Sequence, residues 1–109
     1  MNGMVKLGSG SDRDALLRQR LAGLSRRFLE RAVDDRQHIA AALLRGNLKE
    51  VTALAHRLAG TAGSFGYEDL GNHAVRVEEL IKQGAALETI DAEADQLLAS
   101  IDRAVAAAA

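Results

Sequence analysis

Apolar residues recur three and four positions apart along almost the whole chain, and no proline interrupts them. This spacing places them on one face of an α-helix, which completes a turn every 3.6 residues. Valine, isoleucine and threonine never gather into the alternating runs that a half-buried strand requires. The pattern therefore predicts an all-α protein without a candidate β-strand.

Glycine and polar residues divide this pattern into segments. The first eleven residues contain Gly and Ser without periodicity, so we expect 1–11 to form a flexible leader or linker ahead of a helical bundle domain over 12–107. Gly23 and Ser25 predict a break after a short first helix. The predicted helices span 12–22, about 25–45, about 47–64, about 67–83 and about 87–107.

The connections between the predicted helices are short, at Gly46, Gly66 and Gly84. Short connections make consecutive helices run antiparallel. We therefore expect an antiparallel up-down four-helix bundle, with the short additional N-terminal helix packed across one end. A chain of 109 residues, 48% of them apolar, suffices for one domain with a modest core.

Composition excludes several functional classes. With 14 basic and 15 acidic side chains, the formal charge of -1 gives no field that attracts nucleic acid or an anionic membrane. The absence of cysteine excludes disulfides, thiol redox chemistry and zinc sites with thiolate ligands. No apolar run approaches the roughly 20 residues of a membrane span, and no signal-peptide pattern is present. We expect a cytoplasmic protein.

The third predicted helix contains HRLAGTAGSFG, in which glycines follow a histidine although each costs about 1 kcal/mol relative to alanine. At about 100° per residue, an apolar stripe faces away from His56: Val51, Leu54, Leu58, Ala62 and Phe65. Small and polar residues share the histidine's side: Lys49, Thr52, Ala53, Ala59, Gly60 and Gly63. His56 is therefore expected on an exposed, smooth face, where Gly60 lets another macromolecule approach. The alternative is a surface histidine on a helix that tolerates glycine because a neighbour packs tightly.

The turn at Gly66 brings an acidic side chain to the level of this histidine. His56 lies 10 residues before the turn and Glu78 lies 12 after it, so a rise of about 1.5 Å per residue places both within roughly 3 Å of one level. A carboxylate that accepts the proton of one ring nitrogen would leave the lone pair of the other pointing outward. Such a histidine is a nucleophile.

The stretch AHRLAGTAGSFGYEDLGNHAVRVEEL, residues 55–80, resembles the histidine-containing phosphotransfer (HPt) domain of multistep phosphorelays and the similar N-terminal domain of chemotaxis kinases. The upstream FLERAVDDRQHIAAALLRGN resembles the second helix of that family, so the resemblance covers about 80 of 109 residues. It implies that His56 accepts a phosphoryl group from a histidine kinase or a receiver-domain phosphoaspartate and passes it to a response-regulator receiver aspartate.

The resemblance also implies roles for neighbouring residues. Glu78 would hydrogen-bond the histidine, Gly60 would permit docking, and no cofactor is implied. The family usually has a lysine three residues after the histidine, where this chain has Ala59. The predicted replacements for that cation are Lys49, Arg57 and Arg76, with Arg76 favoured. The predicted docking residues are Thr52, Ala53, Ala59 and Gly63.

Other functions stay open at this point. The domain could be a helical module that docks receivers without carrying phosphate, as the missing lysine suggests, or a dimeric four-helix scaffold instead of the monomer that we expect. An enzyme using His56 as general base is disfavoured, because a convex helix lined with alanine offers no pocket. No P-loop for ATP is present. His38 and His73 each follow an aspartate by four residues, a spacing more typical of surface pairs than of a metal site.

Overall fold

The computed structural model describes the backbone of residues 2–108 and the side chains of residues 12–108. Within this part of the chain the helices are α1 (Asn2–Leu44), α2 (Leu48–Ala62), α3 (Glu68–Lys82) and α4 (Leu87–Ala108), without a strand. A 3₁₀ turn over Gly63–Phe65 extends α2. Helix α2 packs between α1 and α3, and α4 packs against both α1 and α3. The predicted all-α, antiparallel four-helix bundle is confirmed.

The three predicted helix ends lie at glycines with left-handed backbone. Gly46, Gly66 and Gly84 have φ angles of +70°, +82° and +68°, a conformation that glycine adopts without the clash a Cβ would cause. Beyond the first of these turns, the Asn47 side chain accepts a hydrogen bond from the backbone N–H of Glu50 at 3.2 Å and caps α2. These turns fix where α2 and α3 face each other.

The predicted break near Gly23 is wrong, and so is the separate short helix packed across the end of the bundle. Helix α1 is continuous from Asn2 to Leu44. A single glycine costs only about 1 kcal/mol in a helix, and Gly23 lacks the positive φ of the glycines that end helices. The helix also runs through the predicted leader, whose side chains lie outside the described residues. The division of the chain at residue 11 stays a prediction.

The N-terminal part of α1 extends beyond the bundle. Its 43 residues span about 65 Å, whereas the 15 residues of α2 span about 22 Å. The apolar residues Leu17, Leu21 and Leu24 in this part of α1 are therefore about half exposed, at 51%, 57% and 45%. The buried core begins at Phe28, whose ring stacks on Phe65 and Tyr67 with centroids 5.6 and 5.5 Å apart.

The core between the four helices consists mainly of alanine and branched aliphatic side chains. Its largest fully buried members are Ile39, Leu58, Ile90, Leu97, Ile101, Val51 and Val77. Small residues bring α2 and α3 together, since a Cβ on Gly71 would lie 3.4 Å from the Cβ of Ala62. This close approach sets the spacing of the two helices that position the candidate site.

Candidate functional site

His56 lies on the exposed side of α2 and points toward α3. Its side chain is 76% exposed, and Nδ1 lies 2.9 Å from Oε2 of Glu78, whose side chain is 13% exposed. Buried neighbours fix both backbones. Ala55 and Leu58, close to His56 in α2, lie in the core, and so does Val77, which precedes Glu78 in α3. His56 and Glu78 were expected at the same level of two adjacent helices. They lie there, joined by a hydrogen bond between α2 and α3.

Glu78 is a charged acceptor in this pair. Burial raises the pKa of its carboxyl, but hydrogen bonds from Lys82 and His56 more than offset this effect and hold the pKa below its ordinary value of 4.5. A carboxylate accepts hydrogen bonds and cannot donate them. The proton of a neutral His56 therefore resides on Nδ1, where it is donated to Glu78.

The second ring nitrogen of His56 is available for chemistry. Among the side chains of residues 12–108 and the backbone around them, no hydrogen bond or ion pair involves Nε2. With the proton on Nδ1, the lone pair of Nε2 points away from α3 into an exposed region. The arrangement presents an oriented nucleophile with open access, the pattern used by activated side chains that form covalent intermediates.

Lys82, in the last turn of α3, also contacts this pair. Its Nζ lies 3.1 Å from the same Oε2 of Glu78 that accepts from His56. Lys82 is not among the site residues predicted from the sequence, although Glu78 and Lys82 stand four positions apart on a predicted helix. That spacing is a readable signal for a local ion pair.

The cations that the sequence analysis singled out lie elsewhere. Arg57 hydrogen-bonds Asp35 of α1, whose side chain is buried, and removal of such a partner from a buried carboxylate is strongly destabilising. Arg76 lies with Nε 3.8 Å from Glu93 of α4. Lys49 is exposed two turns before His56 and forms no ion pair with the described side chains.

The predicted docking residues surround His56 on one face of α2. Ala53, Gly60 and Gly63 are exposed, whereas Thr52 and Ala59 are partly buried. The Thr52 hydroxyl donates to the backbone oxygen of Leu48 at 2.8 Å, so it is already occupied. We use the name α2 face for this surface of α2 and the 3₁₀ turn that extends it, formed by Thr52, Ala53, Ala59, Gly60 and Gly63.

Tight packing inside the molecule does not account for the glycines of the α2 face. A Cβ added to Gly60 or Gly63 would meet no atom of the described chain within 4 Å. The glycine that packing does explain is Gly71, which the sequence analysis left unassigned. Space for another molecule remains a reason for glycine at position 60.

The other two histidines form no candidate metal site. His73 lies 3.5 Å from Asp69 and 3.2 Å from Glu93, so its expected local aspartate partner is present. His38 is exposed on α1. Across the described side chains, no group of three or more histidine, aspartate or glutamate residues is placed to hold a metal ion.

A family model for the Hpt domain matches residues 23–107. The chain belongs to the Hpt domain family. HPt domains perform histidine phosphotransfer in phosphorelay signalling and interact with kinases and response regulators. The match begins within α1 and leaves most of the projecting part of that helix outside.

Two other comparisons complete this result. Neither the curated proteins nor the solved structures contain a significant match to the chain. No helix within residues 2–108 combines the length and apolar content needed to cross a membrane.

Proposed function

We propose that His56 is the phosphoacceptor of this HPt domain. It accepts a phosphoryl group from a histidine kinase or a receiver-domain phosphoaspartate and passes it to the aspartate of a response-regulator receiver. The observation that carries this proposal is the hydrogen bond from Nδ1 to Glu78, combined with an exposed Nε2. Family membership supports the reaction class.

The transfer needs little from this chain beyond orientation. The Nε2 lone pair of His56 attacks the phosphorus of an aspartyl phosphate, the P–O bond to aspartate breaks, and the carboxylate leaves with the electron pair. Nδ1 keeps its proton and carries positive charge as the N–P bond forms, which Glu78 stabilises across 2.9 Å. The return step reverses these bonds. Positioning and electrostatics dominate phosphoryl transfer, so a small carrier suffices.

The partner docks on the α2 face in this proposal. Gly60 and Ala53 lie on either side of His56 along the helix and leave it unobstructed. We infer a cytoplasmic monomer that binds receiver and kinase domains, without nucleic acid, membrane or cofactor. Since no P-loop is present, the domain carries phosphate that a kinase has taken from ATP.

The test is incubation with a set of phosphorylated receiver domains and Mg²⁺, followed by intact-mass measurement at neutral and acidic pH. We expect the wild type to gain the mass of one phosphoryl group, labile in acid, and His56→Gln to gain none. The glutamine keeps a polar side chain of similar size on an exposed position, so folding is expected to be retained.

Two outcomes would contradict the proposal. Phosphorylation (loading) of His56→Gln would assign the phosphoryl group to another residue. If the wild type binds receivers but no receiver or kinase loads it, the domain is a docking module. The first variant to test would then be Ala59→Lys.

A further inference from the structure

A phosphoryl group on His56 places strong negative charge beside a carboxylate. Phosphate monoester-like groups carry up to two negative charges at neutral pH, and the Glu78 carboxylate is 2.9 Å from the other nitrogen of the ring. Such like charges repel each other unless a cation lies between or beside them. The protonated ring between these two groups supplies one positive charge, so a further cation beside the phosphoryl oxygens would stabilise the loaded state.

Most cations near His56 are committed to other carboxylates. Arg57 is held by the buried Asp35, and Arg76 points to Glu93 on the side of α3 that packs on α4. Lys49 stands about 10 Å along the axis of α2 from the histidine. None of these contacts the His56–Glu78 pair in the described chain.

Lys82 does contact that pair. Its ammonium and the imidazole share one oxygen of Glu78, at 3.1 and 2.9 Å. Because α2 and α3 are antiparallel, Lys82 lies about one turn from His56 toward the N-terminus of α2, on the side of the histidine opposite Ala59. Its side chain is 64% exposed, and its flexible four-carbon stem lets the ammonium swing toward the ring.

We propose that Lys82 is the cationic residue that stabilises the phosphoryl group on His56, by transferring its ammonium from Glu78 to the phosphoryl oxygens. This proposal rests on the proposed function of His56. Before loading, Lys82 and the imidazole both hydrogen-bond Glu78. After loading, the ammonium neutralises the phosphoryl oxygens, and Glu78 keeps the proton-bearing Nδ1. The lysine exchanges no proton, and no bond forms or breaks on it.

The first test uses phosphoramidate, a small phosphodonor that needs no partner protein. The Nε2 lone pair attacks phosphorus, the P–N bond of the donor breaks, and ammonia leaves. We expect Lys82→Ala to slow loading by about five- to tenfold and Lys82→Arg, which keeps the charge, to stay within about twofold of wild type. Arg103→Gln is the matched control, since it removes an exposed charge that pairs with Asp69.

A second readout reports on the lysine itself. The chain has three lysines, so the ¹⁵N signal of the Lys82 ammonium can be assigned by its loss in Lys82→Arg. We expect this signal to shift on loading of the wild type, because the ammonium changes partner. A residue that merely stabilised the end of α3 would affect the thermal unfolding midpoint without this shift.

The outcomes separate the two proposals. If the wild type loads and Lys82→Ala loads as fast as Arg103→Gln, the role of Lys82 is refuted and that of His56 stands. If the wild type does not load with phosphoramidate or with any receiver, the function proposed for His56 fails and the role of Lys82 fails with it. Equal slowing in Lys82→Arg would show a need for the lysine's shape instead of its charge and would also overturn the proposal.

Discussion

Two histidines in this bundle hydrogen-bond a glutamate on a neighbouring helix, yet they present different chemistry. Nδ1 of His56 in α2 lies 2.9 Å from Glu78 of α3, and Nδ1 of His73 in α3 lies 3.2 Å from Glu93 of α4. His73 is 22% exposed, against 76% for His56, and its Nε2 also faces Asp69 at 3.5 Å. His73 is thus contacted through both nitrogens.

If His56 is the phosphoacceptor, as we propose, a carboxylate partner alone does not determine that role. In both pairs the glutamate can fix the ring orientation. His56 additionally has an uncontacted Nε2 in the described chain and stands on the small residues of the α2 face. The surroundings of Nε2 therefore distinguish the proposed nucleophile, His56, from His73, which links two helices.

The largest expected effect is a difference in loading between these two histidines. In phosphoramidate we expect one phosphoryl group per chain on His56, and His73→Gln should load within about twofold of wild type. His56→Gln should not load although the His73–Glu93 pair is intact. Intact-mass measurement over time checks this, and a phosphoryl group in the wild type that is lost in His73→Gln would contradict the comparison.

The next effect concerns the two glutamates. Glu78→Gln keeps the shape of the side chain but removes the charge that stabilises the positive ring, so we expect loading to slow by about tenfold or more. Glu93→Gln should stay within about twofold of wild type, because its partner His73 is not the proposed phosphoacceptor. Loading rates and unfolding midpoints are measured together. Equal slowing in both variants would show that the effect arises from general loss of helix packing.

The lowered pKa of Glu78 keeps its carboxyl group charged at neutral pH. Because hydrogen bonds hold its carboxyl below the ordinary 4.5, the charge is present throughout the neutral range and is lost only as pH falls through the lowered value. The ¹³C signal of the Glu78 carboxyl group should therefore keep the position of a carboxylate between about pH 6 and pH 8. A move to the position of a protonated carboxyl in this range would mean that Glu78 titrates there.

A smaller effect tests why the α2 face contains glycine. Gly60→Ala and the control Gly23→Ala each replace a helical glycine around which a Cβ would meet no atom of the described chain within 4 Å. Both should stabilise the fold by up to about 1 kcal/mol. We expect only Gly60→Ala to slow transfer from a phosphorylated receiver, by roughly threefold to tenfold, because its methyl group enters the docking surface.

The measurement for this pair is the ratio of receiver-dependent to phosphoramidate loading, together with urea unfolding. If Gly60→Ala is destabilising, the glycine serves the fold of this domain. If it is stabilising and the ratio is unchanged, the partner does not approach the helix at position 60.

Much of the fold follows from the sequence because its signals are local. Apolar spacing gave the helix positions, and Gly46, Gly66 and Gly84 gave the turns, whose left-handed backbone is a property of one residue. The exception is α1, where Gly23 was read as a break. Whether a long helix continues through a glycine depends on the helix propensity of the residues on both sides, and a prediction from the glycine alone does not include them.

The candidate site was predictable where helix geometry alone decides it. The pairing of His56 with Glu78 follows from equal distances to one turn. The partners of Arg57 and Arg76 did not follow, because Asp35 and Glu93 lie on helices whose rotation about their axes is set by the whole core. The contact of Lys82 with Glu78 is a local one, because residues four positions apart are neighbours on a helix, and the sequence spacing alone indicates it.

The smallest expected effect concerns Asp102, a carboxylate that links two helices outside the candidate site, in contrast to Glu78 at the site. Asp102 of α4 accepts two hydrogen bonds from Arg36 of α1, at 2.7 and 2.8 Å. These hydrogen bonds from Arg36 hold the pKa of the Asp102 carboxyl below its ordinary 3.8. Since both side chains are substantially exposed, solvent screens the pair, and Asp102→Asn should cost only about 0.5–1 kcal/mol at pH 7.

The sign of its pH dependence follows from the lowered pKa. A carboxyl that titrates lower in the folded chain contributes stability above its ordinary pKa and loses it as pH falls through the folded value. The difference in unfolding free energy between wild type and Asp102→Asn should therefore be constant from about pH 7 to pH 5 and shrink as pH falls below about 4 toward the lowered pKa. Urea unfolding at each pH measures it, and phosphoramidate loading should not change. A loss of loading in Asp102→Asn would mean that the contact between α1 and α4 affects the reactivity of His56. The proposed contrast between the structural Arg36–Asp102 pair and the His56–Glu78 pair would then be wrong.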